Sequence, residues 1–212
     1  MDLIYLAAGN STRFGTNKLL YQLNGKCMYL YGLEVMEAVQ QEHLIENIVL
    51  VTQYEEILQK VEKCFNGIYV VRNPHPEQGI SGSIRLGVEK ILNLEKECGK
   101  KHVGARYHGK DYGREGCMFA VADQPYLTIS SVRKMIQCWK DSDKGIVVSS
   151  HGEDKGNPVI FAPQYYAELS GLKGDVGGKQ VIKKHLDDVQ MFEMTAPELK
   201  DLDLPTEICE LP

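Results

Sequence analysis

Apolar positions along this chain fall alternately into short continuous runs and into three-to-four-residue spacings, an order that predicts parallel strands separated by amphipathic helices. Leu3 to Ala7 is the first run and reads as a buried strand, after which Gly9 lets the backbone turn where a side chain would obstruct it. Met28, Leu30, Leu33, Met36 and Val39, with Val35 beside them, recur at helical spacing and set Glu34 and Glu37 opposite, which predicts a helix over 28–41. N-I-V-L-V-T, from Asn47 to Thr52, is apolar throughout, as a parallel strand covered on both faces must be. A second amphipathic helix through Ile57, Leu58, Val61 and Phe65 leads to a third strand, Ile68 to Val71. The run C-M-F-A-V-A, Cys117 to Ala122, predicts a central strand, and Thr128 then caps a helix that buries Ile129, Val132, Met135 or Ile136, and Trp139. Gly145 to Ser150 and Val159 to Ala162 read as a hairpin or ribbon around the loop H-G-E-D-K-G-N-P. A helix through Val181, Ile182 and Leu186 precedes an edge strand, Val189 to Met194, and a tail with Asp203 or Thr206 near a short helix start. No repeat, heptad or linker interrupts the series, so the expectation is one α/β domain over 1–212 with a mostly parallel sheet.

The connections carry the candidate chemistry. Leu6 to Leu20 is an apolar run breaking into a glycine-punctuated loop, in which Asn10, Ser11, Thr12 and Gly15 leave backbone N–H groups exposed beside Arg13 and Lys18. Such a loop suits a polyphosphate, and a plain turn with two solvated cations is its rival. Pro74 and Pro76 forbid regular structure before Gly79, Ser81, Gly82 and Ser83, which open a helix whose first amides would face the same cleft; Ser81 as an N-cap is the other reading. Asp123 ends the central strand. Ligands of an open parallel sheet gather beyond the carboxyl ends of its strands, so Asp123 is expected to share a cleft with Arg13 and Lys18 and, facing phosphates, to bind a divalent ion. Asp175, in G-D-V-G-G-K, is either another ligand or the N-cap of the next helix. The stretch from Asn93 to Gly116 lacks an apolar period and reads as a surface excursion; its Cys98, His102 and His108, with Cys117, lack the tight pair a zinc site uses. A dehydrogenase is disfavoured because Gly9 and Gly15 do not make G-x-G-x-x-G.

Composition narrows the partners. A net charge of -5 excludes the broad basic field that nucleic acid or an anionic membrane needs, so any anion must be met locally. Six cysteines without a C-x-x-C pair are expected to be reduced thiols, and no apolar run nears the roughly 20 residues that span a bilayer. The expectation is a cytoplasmic protein with small-molecule partners.

Four segments taken together resemble the nucleotidyltransferases of the molybdenum cofactor, most closely the cytidylyltransferase branch. They are L-A-A-G-N-S-T-R-F-G-T-N-K-L-L, N-P-H-P-E-Q-G-I-S-G-S-I-R-L-G, A-D-Q-P-Y-L-T, and G-N-P-V-I-F with G-D-V-G-G-K, in family order, and L-K-D-L-D-L-P-T-E is similar to the family's closing segment. The resemblance implies a three-layer α/β/α, glycosyltransferase-A-like Rossmann sandwich, Mg2+ as cofactor, CTP and molybdopterin as substrates, and a molybdenum hydroxylase receiving the product. It implies that Leu6, Ala7, Ala8 and Gly9 cradle the nucleoside and that Arg13 and Lys18 hold the triphosphate. Gly79, Ser81 and Ser83 would lie on the base side, with Asp123 binding metal and Asp175 as a second acidic position. Ala8, giving A-A-G where the guanosine branch has A-G-G, carries the cytidine assignment. Phe14, Gly82 and the length of 93–116 depart from the family pattern. Transfer to another phosphorylated acceptor, transfer of GMP, and a non-catalytic nucleotide-binding cofactor chaperone are the alternatives.

Overall fold

The computed structural model describes residues 1–9, 14, 17–97 and 115–203. Its strands are β1 (Asp2–Ala7), β2 (Gln22–Leu23), β3 (Lys26–Cys27), β4 (Ile48–Thr52), β5 (Ile68–Arg72), β6 (Cys117–Val121), β7 (Ile146–His151), β8 (Asp154–Phe161) and β9 (Val189–Glu193). The helices are α1 (Met28–Gln41), α2 (Glu55–Cys64), α3 (Ile80–Glu97), α4 (Ile129–Asp141), α5 (Tyr166–Ser170), α6 (Lys179–Lys184) and α7 (Ala196–Leu199). Seven strands form the main sheet in the order β5-β4-β1-β6-β8-β7-β9, while β2 and β3 make a separate two-stranded ribbon. All neighbours pair in parallel except β8, which runs against both β6 and β7.

Period-two alternation on β1 divides the core between the two sheet faces. Leu3, Tyr5 and Ala7 pack with Leu33 and Met36 of α1, Ile57 and Val61 of α2, and Met135 and Trp139 of α4. Ile4 points the other way, to Ile84, Val88 and Ile91 of α3, Leu169 of α5, and Val181 and Ile182 of α6. Helices therefore cover both faces, which is the three-layer α/β/α sandwich the sequence led us to expect. Gly87 shows how close the layers come: a Cβ there would lie 2.7 Å from the Ile4 side chain. Among the described residues no helix is long and apolar enough to cross a membrane.

Several boundaries differ from those read off the sequence. The expected excursion at Asn93 is still helix to Glu97, because Leu94 and Glu95 are buried. The loop H-G-E-D-K-G-N-P is mostly strand: Gly152 turns the chain at a φ of 58°, and β8 begins at Asp154. Pro158 cannot donate to the ladder, and the register shifts there, opposite Val148 and Ser149. α6 stops at Lys184, leaving Leu186 outside it and 60% exposed. Gly178, not Asp175, is the residue before α6, so the cap reading of Asp175 fails. Ser81 lies within α3 and its hydroxyl donates to the Gln78 carbonyl (3.2 Å), so it is not an N-cap either.

Candidate active site at the carboxyl ends of the parallel strands

The first wall of the site is the end of β1. Three consecutive side chains at the end of β4 bond three consecutive carbonyls there: Thr52 Oγ1 donates to Ala7 (2.9 Å), Gln53 Nε2 to Ala8 (2.8 Å), and the Tyr54 hydroxyl to Gly9. Thr52 is wholly buried and its Oγ1 also accepts from the Tyr54 N–H at 3.1 Å. The path of Ala7, Ala8 and Gly9 is thus fixed from outside the loop. Leu6 turns its side chain into a cleft on the α3 face. Asn10 to Arg13, and with them the predicted cation Arg13, lie outside the described residues. Nothing in the sequence flagged Thr52, Gln53 and Tyr54, although an apolar run ending in Thr followed by two long donors is a usable signal. Thr52→Val keeps the volume but leaves the buried Ala7 carbonyl without its donor, which should cost about 1–3 kcal/mol. For a chain of this size that lowers Tm by roughly 2–4 °C per kcal/mol, measurable by thermal melting.

The second wall is the end of β6. Ala122 continues the pairing by donating its N–H to the Leu6 carbonyl (3.1 Å), which delivers Asp123 beside the β1 loop. Asp123 Oδ2 lies 2.8 Å from Lys18 Nζ, whereas its Oδ1 is buried with no hydrogen-bond partner among the described residues. Lys18, presented by a single 3-10 turn capped by the Asn17 side chain, also reaches Asp203 Oδ1 at 2.7 Å and is itself only 8% exposed. Burial opposes its charge, but the Asp123 and Asp203 carboxylates outweigh that and hold its pKa above the ordinary lysine value. Asp201, with part of its surface open to solvent, is desolvated by surrounding protein and faces the Asp123 charge, and its carboxyl is pushed up to about 6.

Asp203 and Asp201 arrive on a closing segment fastened to A-D-Q-P-Y-L-T. Glu198 accepts from Thr128 Oγ1 (2.8 Å) and, through a capping box, from Thr195; Gln124 Nε2 donates to the Leu199 carbonyl (3.1 Å); and Leu202 N–H donates to the Asp123 carbonyl (3.0 Å). Sequence reasoning placed Asp203 near a helix start and so missed its contact with Lys18. The available signal was D-L-D, two carboxylates flanking an apolar residue, and Leu202 is indeed fully buried.

The third wall is the start of α3. Gly79 has φ 71°, and a Cβ on it would lie 2.7 Å from the Asp175 Cα, so the 79–81 turn packs directly on the Gly174–Asp175 turn. Ser81 N–H points at the Gly174 carbonyl at 3.4 Å, and Ser83 Oγ, 4% exposed, accepts from Asn73 Nδ2 at 3.0 Å. Lys18 and Asp123 are thus brought into contact, while Asp175 is exposed and pairs with Gly79 through backbone packing. Among the described residues no group of three or more His, Cys, Asp or Glu side chains is placed to hold a metal ion.

Residues 3–189 match the family model of the MobA-like NTP transferase domain. The purine catabolism protein PucB of Bacillus subtilis is 24% identical over 214 residues, covering 96% of this chain and 92% of PucB. A probable molybdenum cofactor guanylyltransferase of Thermococcus gammatolerans is 41% identical over 58 residues, 27% of this chain and 28% of that protein. Among solved structures, Rv0371c of Mycobacterium tuberculosis superposes with a TM-score of 0.70 at 20% identity, covering 98% of this chain and 95% of that one. A manganese complex of the same protein superposes at 0.63 and 17% identity, covering 91% and 87%. The matched span carries the β1 loop, the start of α3 and the Asp123 strand in one stretch, and this chain belongs to the MobA-like NTP transferase family.

Proposed function

We propose that this nucleotidyltransferase moves CMP from CTP to the terminal phosphate of molybdopterin, releasing pyrophosphate in the cytoplasm and passing its product to a molybdenum hydroxylase. The observation that carries the proposal is the buried Asp123 Oδ1, a carboxylate oxygen without a donor among the described residues, set against Lys18 at the end of the β1 loop. In the transfer, a phosphate oxygen of the acceptor attacks the α-phosphorus of CTP and the bond from that phosphorus to the β-phosphate oxygen breaks. A phosphate monoester has a second pKa near 6, so the nucleophile is already ionised at neutral pH and no side chain need take a proton. The obstacle is repulsion between anions, about 1 kcal/mol per pair of unit charges at 4 Å in water and about 4 at an effective dielectric near 20. Lys18, with Arg13, offsets it on the triphosphate and stabilises charge growing on the leaving pyrophosphate.

A donor-free carboxylate oxygen fits a hard divalent cation. Asp123 would hold Mg2+ with Asp203, which shares Lys18 with it, rather than with Asp175, whose backbone is packed on Gly79. Bound there, the ion would supply neutralisation and alignment of the phosphates. Leu6 to Gly9 would hold the nucleoside, with Gly79, Ser81 and Ser83 closing the base side. Ala8 supports cytidine, and the free Cys27, Cys64, Cys117 and Cys138 suit a reducing compartment.

The local likeness to guanylyltransferases keeps a second reading, GMP transfer, in play. Pyrophosphate release with molybdopterin and each of CTP, GTP, ATP and UTP decides between them. CTP is expected to exceed the others by at least about tenfold, a difference of about 1.4 kcal/mol in transition-state binding. A GTP preference would move the base assignment; turnover only with a sugar phosphate would move the acceptor; binding without turnover would make the protein a cofactor chaperone.

A further inference from the structure

β1 and β4 pair in parallel from Leu3 with Ile48 to Ala7 with Thr52. The register then continues in side chains: Gln53 Nε2 donates to the Ala8 carbonyl (2.8 Å) and the Tyr54 hydroxyl to the Gly9 carbonyl, each pair 45 residues apart as the strand pairs are. The backbone of this stretch has by then turned to other partners. The Thr52 carbonyl accepts from the Asn73 N–H on the β5 side (2.7 Å), the Tyr54 N–H donates to Thr52 Oγ1 (3.1 Å), and the Tyr54 carbonyl accepts from Leu58 of α2 (3.1 Å). β6 leaves β1 at nearly the same level, its register ending at Leu6 with Val121. Nor does packing fix Gly9, since a Cβ there would meet no atom within 4 Å. Among the described residues, the Ala8 and Gly9 carbonyls therefore have these two side chains, and no backbone N–H, as hydrogen-bond partners. Neither Gln53 nor Tyr54 belongs to the segments that carry the family resemblance.

We propose that Gln53 and Tyr54 are positioning residues for the nucleoside: they hold the Ala8 and Gly9 peptides in one orientation before a nucleotide arrives, and so set the affinity for its nucleoside part while Lys18 meets its phosphates. The inference rests on the nucleotidyltransferase reading, in which Leu6 to Gly9 hold the nucleoside. In a trans peptide the N–H points opposite to the C=O, so the bond from Gln53 to the Ala8 carbonyl also aims the Gly9 N–H away from Gln53. The Tyr54 bond fixes the Gly9 carbonyl in the same way. A segment already in its binding orientation loses no further conformational freedom when the ligand lands, whereas one that samples several orientations binds more weakly in proportion to the fraction that is competent. Two bonds from outside the loop thus act on affinity through the loop.

Three variants of the full chain test it. Gln53→Ala and Tyr54→Phe each remove one donor, and Gln53→Glu keeps the side-chain volume but sets a carboxylate against the Ala8 carbonyl. Neither position is buried, so Tm should stay within about 3 °C of wild type. Kd values for CTP and for inorganic tripolyphosphate, which has the phosphates without the nucleoside, are measured by calorimetry in the presence of Mg2+. Loss of either bond should weaken CTP about fivefold, and Gln53→Glu should weaken it at least as much as Gln53→Ala, while tripolyphosphate stays within about twofold in all three. Unchanged CTP binding in both Gln53→Ala and Tyr54→Phe would overturn the assignment. So would parallel weakening of tripolyphosphate, a fall in Tm beyond that margin, or wild-type CTP binding by Gln53→Glu, which would make Gln53 a filler of space. The transferase reading fails separately: CTP binding that follows the variants, with no CMP transfer to molybdopterin, would remove that reading and leave the positioning residues in place.

Discussion

Asp123→Asn should lower the rate of pyrophosphate release from CTP by about a thousandfold or more at saturating Mg2+, with little change in Tm. The amide has the same shape, and Lys18 keeps its second partner, Asp203, at 2.7 Å. What disappears is the charge. Asp123 gives one oxygen to Lys18, and the other, buried and without a donor among the described residues, is the one proposed to meet a cation. An amide cannot neutralise a cation there, and its N–H2 group would face one instead. Loss of a single preorganised electrostatic partner costs about 10²–10³ in rate in comparable sites, and loss of a metal-holding carboxylate should exceed that, about 4 kcal/mol or more in activation free energy. Wild-type rates at any Mg2+ concentration would remove Asp123 from the chemistry. A variant that melts tens of degrees early would show that its role is to hold the closing segment.

Lys18→Ala has the second largest expected effect, and it should split two measurements that usually move together. kcat/KM for CTP should fall about a hundredfold if Lys18 meets the triphosphate as proposed, whereas CMP, which lacks the β- and γ-phosphates, should bind within about threefold of wild type. Divalent-ion binding without nucleotide should go the other way. In the structure the Lys18 ammonium stands between Asp123 and Asp203, where it competes with a cation for the same two carboxylates. Removing it should tighten Mn2+ binding, read by the loss of the free-ion resonance signal. Equal losses for CTP and CMP would displace Lys18 from the triphosphate. Weaker Mn2+ binding would show that the two carboxylates do not form a cation site.

Much of the fold was legible because its central strands β1, β4 and β6 are buried on both faces and its helices on one. α1 runs over the 14 residues from Met28 to Gln41 that the Leu33, Met36 and Val39 spacing marks out. The failures share a cause, which is that composition stood in for geometry. Gly156, Asn157 and Pro158 look like a loop, yet they belong to β8 because the ladder absorbs them with a register shift. Leu94 is a lone apolar residue among charges, and only the body of α3 against the sheet reveals that it is inside. In the site, Lys18 and Asp123 could be singled out because each sits where a local pattern breaks. The partner of Asp203 could not be read, since D-L-D marks the segment but nothing near it points to residue 18; the link exists only after Leu202 has been buried and its N–H has met the Asp123 carbonyl. The partners of Thr52, Gln53 and Tyr54 were hidden for the same reason, each carbonyl lying 45 residues away.

The contact between Lys18 and Asp203 spans 185 residues of chain, and this separation sets a schedule for synthesis. At 5–20 residues per second, roughly 10–40 s pass on the ribosome between the appearance of the one and of the other. β1, β4 and β6 can pair during that interval, with Asp123 already at the end of its strand, but the segment that carries Asp203 and ties down Gln124 and Thr128 does not yet exist. A nascent chain of this protein can therefore pair the inner strands of its sheet well before Lys18 finds Asp203, a contact that waits until the stretch through residue 203 has been translated.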